Sequence, residues 1–307
     1  MLHLGPSWHG KRLCKGPSFN RDRLCPCPVD ALDRAGIQMG VADMDAASLD
    51  HSRPISSQEI VYPARLTQAE RKSLGQRLYA VHALVFSGSS EQDFYEHVID
   101  PPASRTAVQI YRGKEGDLAG YCAIHSFERR LRGRHAVVLR AEAGLRRDYR
   151  GRGATHWFGM SQTFFEKLRH PFTPVYYFGT LVHPSSYRFF CKYFPRVYPR
   201  PRHGMPKAMK AIALELADSF QDPAVDPKDP LIRDVGWITI EASDERRVQH
   251  RDDLADVQYF KTRNPYYTHG QGLVVVMPIT FSNIACALLR RAFEVTRETF
   301  LGQERSE

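Results

Sequence analysis

The chain has 307 residues, is 42% hydrophobic and 25% charged, and carries a formal net charge of +9. That composition supplies a core and excludes a low-complexity or fibrous protein, while the positive balance favours anionic partners. No apolar run approaches the ~20 residues that span a bilayer, and the N-terminus lacks the apolar core of a signal peptide, so a cytoplasmic protein with reduced thiols is expected.

Residues 1–57 are rich in Pro, Gly, Ser, Asp and Arg without a sustained period, and read as a poorly ordered tail. Cys25-Pro26-Cys27 with His3 or His9 is the nearest approach to a metal-ligand group. The paired C-x-x-C knuckles of a zinc site are missing, so no metal is expected. Order begins at a strand over Glu59–Leu66, which Pro63 marks as an edge. Thr67-Gln68-Ala69-Glu70 is a capping box, and Leu74, Leu78, Val81 and Val85 follow at helical spacing. A second, shorter helix starts at Ser90, turns Phe94 and Val98 inward and stops at Pro101-Pro102.

Three strands come next, at Thr106–Tyr111, Leu118–Phe127 and His135–Leu145, joined by glycine-containing turns as an antiparallel meander. The last strand runs into Arg146-Arg147-Asp148-Tyr149-Arg150-Gly151-Arg152-Gly153-Ala154-Thr155. Glycines let a backbone approach a ligand closely, and a helix starting at Ala154 would aim its free N–H groups at a phosphate or pyrophosphate. Between Arg129 and Arg152 stand nine arginines against two acids, Glu142 and Asp148. A charge focused there suits a compact polyanion better than nucleic acid, which is read along a longer basic groove.

The helix from Ala154 to about Leu168 offers Trp157, Phe158, Phe164 and Phe165 as apolar members. A strand over Val175–Val182 and a short helix over Pro184–Tyr193 follow. Ten of the 27 residues from Phe172 to Tyr198 are aromatic, which suits a core or an apolar pocket. Beyond a proline-rich connection come a helix over Ala208–Phe220, a strand at Trp237–Ile240 and a charged helix from Ser243 towards Asn264. A buried strand at Gly272–Ile279 and a final helix from Phe281, with Ile284, Leu288, Leu289 and Phe293 as its apolar side, end the chain.

This order of elements resembles the GNAT family of N-acetyltransferases. Arg150-Gly151-Arg152-Gly153-Ala154-Thr155 resembles that family's acetyl-CoA loop, with Thr155 where Gly or Ala is usual. His183-Pro184-Ser185-Ser186-Tyr187-Arg188-Phe189-Phe190-Cys191-Lys192-Tyr193 is similar to its second motif, with His183 in place of Asn and Phe190 in place of Tyr. The resemblance implies an α+β (mixed α/β) fold with a mostly antiparallel central sheet flanked by helices. It assigns residues 58–200 to the acyltransferase core and 201–307 to an extension that either completes the sheet around an inserted helix or forms a separate cap. It implies acetyl-CoA or another acyl-CoA as cofactor and an amine as acceptor. Leu145, Arg146, Arg147, Arg150, Gly151, Arg152, Gly153, Ala154, Thr155 and His183 are then the cofactor-binding residues.

For the chemistry, Glu142 is the expected base that takes the amine's proton, or else a partner of Arg140. Phe190 cannot donate a proton. Tyr187 and Tyr193, one helical turn to either side, are the candidate acids, or else packing residues. Two further readings follow from the same residues. An enzyme could take fatty acyl groups from acidic acyl carrier protein, which would suit the basic surface. A non-catalytic acyl-CoA-binding member would need no acid at residue 190.

Overall fold

The computed structural model describes residues 53–150, 154–201, 203–240 and 253–303. Its strands are β1 (Ile55–Val61), β2 (Phe86–Ser87), β3 (Arg105–Gly113), β4 (Leu118–Leu131), β5 (Arg134–Leu145), β6 (Val175–Leu181), β7 (Ile232–Asp234), β8 (Ile238–Thr239) and β9 (Gln271–Pro278). Its helices are α1 (Gln68–His82), α2 (Glu91–Phe94), α3 (Ala154–Arg169), α4 (Pro184–Tyr193), α5 (Lys207–Ser219), α6 (Ala255–Arg263) and α7 (Phe281–Gln303). Seven strands form one sheet in the order β1-β3-β4-β5-β6-β9-β7. Every neighbouring pair is antiparallel except β5 and β6, which are parallel and joined through α3.

The helices start where their side chains permit. At Thr67 the hydroxyl accepts from the Glu70 N–H at 3.3 Å, and the Glu70 carboxylate accepts from the Thr67 N–H at 2.8 Å. Ser90 and Asp93 repeat the exchange at α2, which continues into a π-helical turn, Tyr95–Ile99. Leu74 and Leu78 of α1, with Phe94, Val98 and Ile99, pack on Val108, Ile110, Tyr121 and Ala123 of β3 and β4, all of them buried. His82 is sealed in this layer. Its Nδ1 lies 2.8 Å from the Tyr121 hydroxyl and its Nε2 2.8 Å from Ser89 Oγ, with Phe94 and Trp237 rings 4.8 and 4.7 Å away. Burial drops its pKa to about 4.

The opposite face of the meander carries α3. Phe158 packs there with Ala107, Tyr111, Cys122, Ile124 and Tyr149. Successive strand residues alternate between faces, so β5 sends Arg140 and Glu142 to the α1 side and Leu139 and Ala141 to the α3 side. A larger cluster built on β6 and β9 takes in Tyr187 and Cys191 of α4, Leu216 of α5, Phe260 of α6 and Ile284 of α7.

The sequence expectations meet different outcomes. The first strand lies earlier, at Ile55–Val61, because Pro63 opens a 3-10 turn rather than lying within the strand. Ile55–Ser57 therefore belong to the sheet and not to the tail; residues 1–52, with Cys14, Cys25 and Cys27, lie outside the described residues. β9 inserts between β6 and β7, so residues 201–307 contribute to the main sheet. Ile238–Thr239 does not join that sheet but pairs with Phe86–Ser87. The expected charged helix is described only as α6, since residues 241–252 lie outside the described residues. Finally, helical apolar residues are not all inward. Trp157, Phe165, Leu289 and Phe293 are exposed, and only Phe158 of the α3 set named above is buried.

Candidate active site

The parallel ladder between β5 and β6 is short. Val137, Val138 and Leu139 pair with Val175, Tyr176 and Tyr177, and there it stops. Both strands run on. β5 continues to Leu145, paired only with β4, and β6 continues to Leu181, paired only with β9. Arg140–Leu145 and Phe178–Leu181 thus face each other across an opening in mid-sheet, with inner-edge backbone groups that have no ladder partner. Ligands of sheets with helical crossovers gather at the carboxyl ends of neighbouring parallel strands. Both following helices begin at that end, α3 at Ala154 and α4 at Pro184. They touch through the His156 and Phe189 rings, stacked with centroids 3.8 Å apart.

The chain leaving β5 is tied down. Tyr149 is buried and donates its hydroxyl to Asp117 at 2.7 Å. Gly113 leaves the room that this hydroxyl fills. Arg146 donates to Asp117 at 3.0 Å and to Asp148 at 2.9 Å, and Arg53 joins both acids and Glu115. The Tyr149 bond, then Arg53 and Arg146, hold the Asp117 carboxyl below its usual range. Arg150 turns back and donates Nε–H to the Leu145 carbonyl at 2.9 Å.

These contacts alter the charge argument. Arg146 is committed to Asp148 and to Asp117, which arrives from the β3–β4 turn and which a count along the chain does not include. The nine arginines also do not share a loop. Arg129, Arg130, Arg132 and Arg134 sit at the β4–β5 hairpin, at the far end of a twelve-residue strand from Leu145, roughly 35 Å away. Arg147 and Arg150 follow the end of β5 at Leu145. Gly151, Arg152 and Gly153, the centre of the expected phosphate loop, lie outside the described residues. Ala154 and Thr155 open α3.

Glu142 stands on the β5 wall of the opening, with a largely buried carboxylate. Its Oε2 lies 2.8 Å from His125 Nε2. His125 Nδ1 is 3.0 Å from the Thr106 hydroxyl on β3. Arg140 Nε is 3.9 Å from the other Glu142 oxygen. Burial pushes the Glu142 pKa up, but His125 and Arg140 outweigh it and hold the group below the ordinary carboxylate value. The expected pairing with Arg140 is present, and His125 is the closer partner. Arg140 also lies over the Phe220 and Phe178 rings, at 4.5 and 5.5 Å, and 3.7 Å from Asp222. Asp222 in turn accepts from Thr180 Oγ1 on β6 at 2.6 Å. Asp222 therefore joins the two walls of the opening on the α1 side.

On α4, His183 is the N-cap. Its Nδ1 accepts from the Ser185 N–H at 3.2 Å and lies 2.6 Å from Ser185 Oγ. The two expected acids have other places. Tyr187 is wholly buried, donates to the Pro199 carbonyl at 2.9 Å and stacks on Tyr259. Tyr193 is buried in the last turn of α4, where Arg291 donates to its hydroxyl at 3.5 Å. Both are buried, with the Tyr187 hydroxyl bonded to the Pro199 carbonyl and the Tyr193 hydroxyl met by Arg291 of α7. Cys191 is buried beside Tyr187, and burial pushes its thiol up to about 11, well away from a nucleophile's range.

Sequence reading did not single out His125 or Asp222. His125 left a signal, being a polar residue on the inward phase of Tyr121, Ala123 and Phe127. Asp222 left none, since only the chain's return from α5 places it. Among the described residues no group of three or more His, Cys, Asp or Glu could hold a metal, and no helix is long and apolar enough to cross a membrane.

No protein-family model and no curated protein sequence matches the chain. Solved structures similar to part of it include a ribosomal-protein-alanine N-acetyltransferase from Brucella melitensis biovar Abortus 2308, at 14% identity and TM-score 0.25, over 39% of this chain and 77% of that one. ElaA of Escherichia coli is similar at 16% identity and TM-score 0.31, over 48% of this chain and 93% of the other. An acetyltransferase from Trypanosoma brucei is similar at 15% identity and TM-score 0.31, over 48% of this chain and 98% of the other.

Proposed function

We propose that the chain is an acyltransferase that passes an acetyl or other acyl group from acyl-CoA to an amine by direct attack in a ternary complex. The observation that carries this reading is the opening between β5 and β6, with Glu142 on one wall and two helix N-termini at its mouth. A chain bearing amide groups, such as the pantetheine arm, can pair with unpartnered strand edges as an added strand does. A diphosphate suits the α3 N-terminus and Arg150. Glu142 with His125 takes the proton that the attacking amine must lose. Phe190 favours one second reading, a binding-only member of the same fold.

Calorimetry with acetyl-CoA is the test. Ligand at a hundredfold excess over Kd should stabilise the protein by about 2.7 kcal/mol. Thiol release with a panel of amines should fall roughly 10²- to 10⁴-fold in Glu142→Gln, with acetyl-CoA affinity kept. Absence of binding refutes the reading; binding without thiol release from any amine supports the binding-only alternative.

A further inference from the structure

Tyr177 is the last β6 residue in the ladder to β5, paired with Leu139 where the two strands part company. Its side chain lies on the α3 and α4 side of the sheet, and its ring packs on Phe190 with centroids 4.7 Å apart. The ring leans along the strand over Gly179. A Cβ on residue 179 would come within 2.8 Å of the Tyr177 hydroxyl and 3.2 Å of its ring, so glycine is what lets the hydroxyl reach past the ladder into the opening. The residue is buried, yet the hydroxyl makes no hydrogen bond among the described residues and is not one of the sealed polar atoms without a partner. A tyrosine held this way with an accessible, unused O–H is set to meet something that enters the opening. Glu142 and Arg140 act on its charge from across the gap, and burial with Glu142 keeps it protonated well above neutral pH.

We propose that Tyr177 is the catalytic residue that donates to the leaving sulfur, in the role that Phe190 cannot fill. This rests on the acyl-CoA reading above. The two walls divide the work by sheet face, Glu142 on the α1 side and Tyr177 on the α4 side. A thioester lying in the gap is approached by the amine from the first and held by its sulfur from the second. The amine nitrogen bonds to the carbonyl carbon and gives its proton to Glu142. The C–S bond breaks and its electron pair leaves on sulfur. Tyr177 gives its proton to that sulfur, producing the free thiol. The proton gained by Glu142 returns through solvent to the Tyr177 oxygen, which restores both groups.

Tyr177→Phe removes only the oxygen and keeps the ring against Phe190. Its effect is read without knowing the acceptor, by calorimetry of CoA and of acetyl-CoA at neutral pH and near pH 9.5, where much of the thiol is ionised. A charge-assisted bond to sulfur predicts that the variant binds CoA about 10-fold more weakly than wild type at the higher pH, while acetyl-CoA affinity changes less than about 2-fold. The double variant Tyr177→Phe, Phe190→Tyr should recover part of the loss, because the two rings adjoin. Equal CoA affinity of wild type and Tyr177→Phe at both pH values, with acetyl-CoA still bound, overturns the assignment and leaves the acyl-CoA reading intact. Loss of acetyl-CoA binding in the variant alone makes Tyr177 a binding residue and also overturns it. If neither protein binds acetyl-CoA, the acyl-CoA reading itself has failed.

Discussion

The two edges of β5 are made differently. Towards β4 it forms twelve consecutive pairs, and towards β6 it forms three. Buried backbone groups rarely stay unpartnered, so an edge that closes fully is a source of stability, and one that stays open leaves backbone groups that a ligand could meet. The side chains follow the same division. Beside the closed edge lie Tyr121, Phe94 and Leu78, sealed and mainly apolar. Beside the open edge lie Glu142, Arg140, Thr180 and Asp222, each still partly in contact with solvent.

The largest expected effect lies on the closed side. Phe94 is wholly buried among Tyr79, His82 and Tyr121. Phe94→Ala should cost about 3–5 kcal/mol in urea unfolding. Tyr177→Phe, at the open edge, deletes no carbon and should cost about 1 kcal/mol or less. Similar losses at both positions would dissolve the contrast.

A somewhat smaller effect sharpens it. His82 keeps a folded-state pKa of about 4, against about 6.5 when unfolded. Between those values the unfolded chain holds a proton that the folded chain refuses. The stability is therefore complete above pH 6.5 and is lost as pH falls towards 4, by about 3 kcal/mol at most. Other groups titrate as well, so the quantity to measure is the difference from His82→Gln. Wild type should lose about 2–3 kcal/mol more than the variant between pH 7 and 4.5. A matching loss in both would mean that the ring is protonated inside the fold.

What the sequence shows and hides follows the same line. The meander, the capping box at Thr67, the helix start at Ser90 and the helices around the loop are legible, because each is written in residues close together in the chain. Glu142 is legible as a carboxylate on a strand. Its neighbour His125 comes from the next strand, and Asp222 arrives from beyond α5, so neither is within reach of spacing arguments. The arginine count misled for a related reason. Twelve extended residues carry Arg134 far from Arg146, and Asp117 meets Arg146 from another turn. Tyr187 looked like an acid because helical spacing gives the face of a residue but not the depth at which its hydroxyl ends.

The smallest predicted effect concerns how Asp222 is presented. At the end of α5, the Asp222 N–H bonds to the Ala217 carbonyl and the Gln221 N–H to that of Asp218, both at 3.0 Å. This is the Schellman pattern, which turns the chain through a left-handed residue, usually glycine. Here that residue is Gln221, with φ of +59°. A side chain in that conformation costs roughly 1–2 kcal/mol, and glycine would give back part of the gain in unfolded-state entropy. Gln221→Gly should therefore stabilise the fold by about 0.5–1 kcal/mol in urea unfolding. The turn also carries Asp222 to Thr180 and Arg140, so the gain should come without a change in acetyl-CoA affinity. A destabilised Gln221→Gly would show that the glutamine side chain itself helps to hold the turn, and that the open edge depends on more than Asp222 to keep its two walls in place.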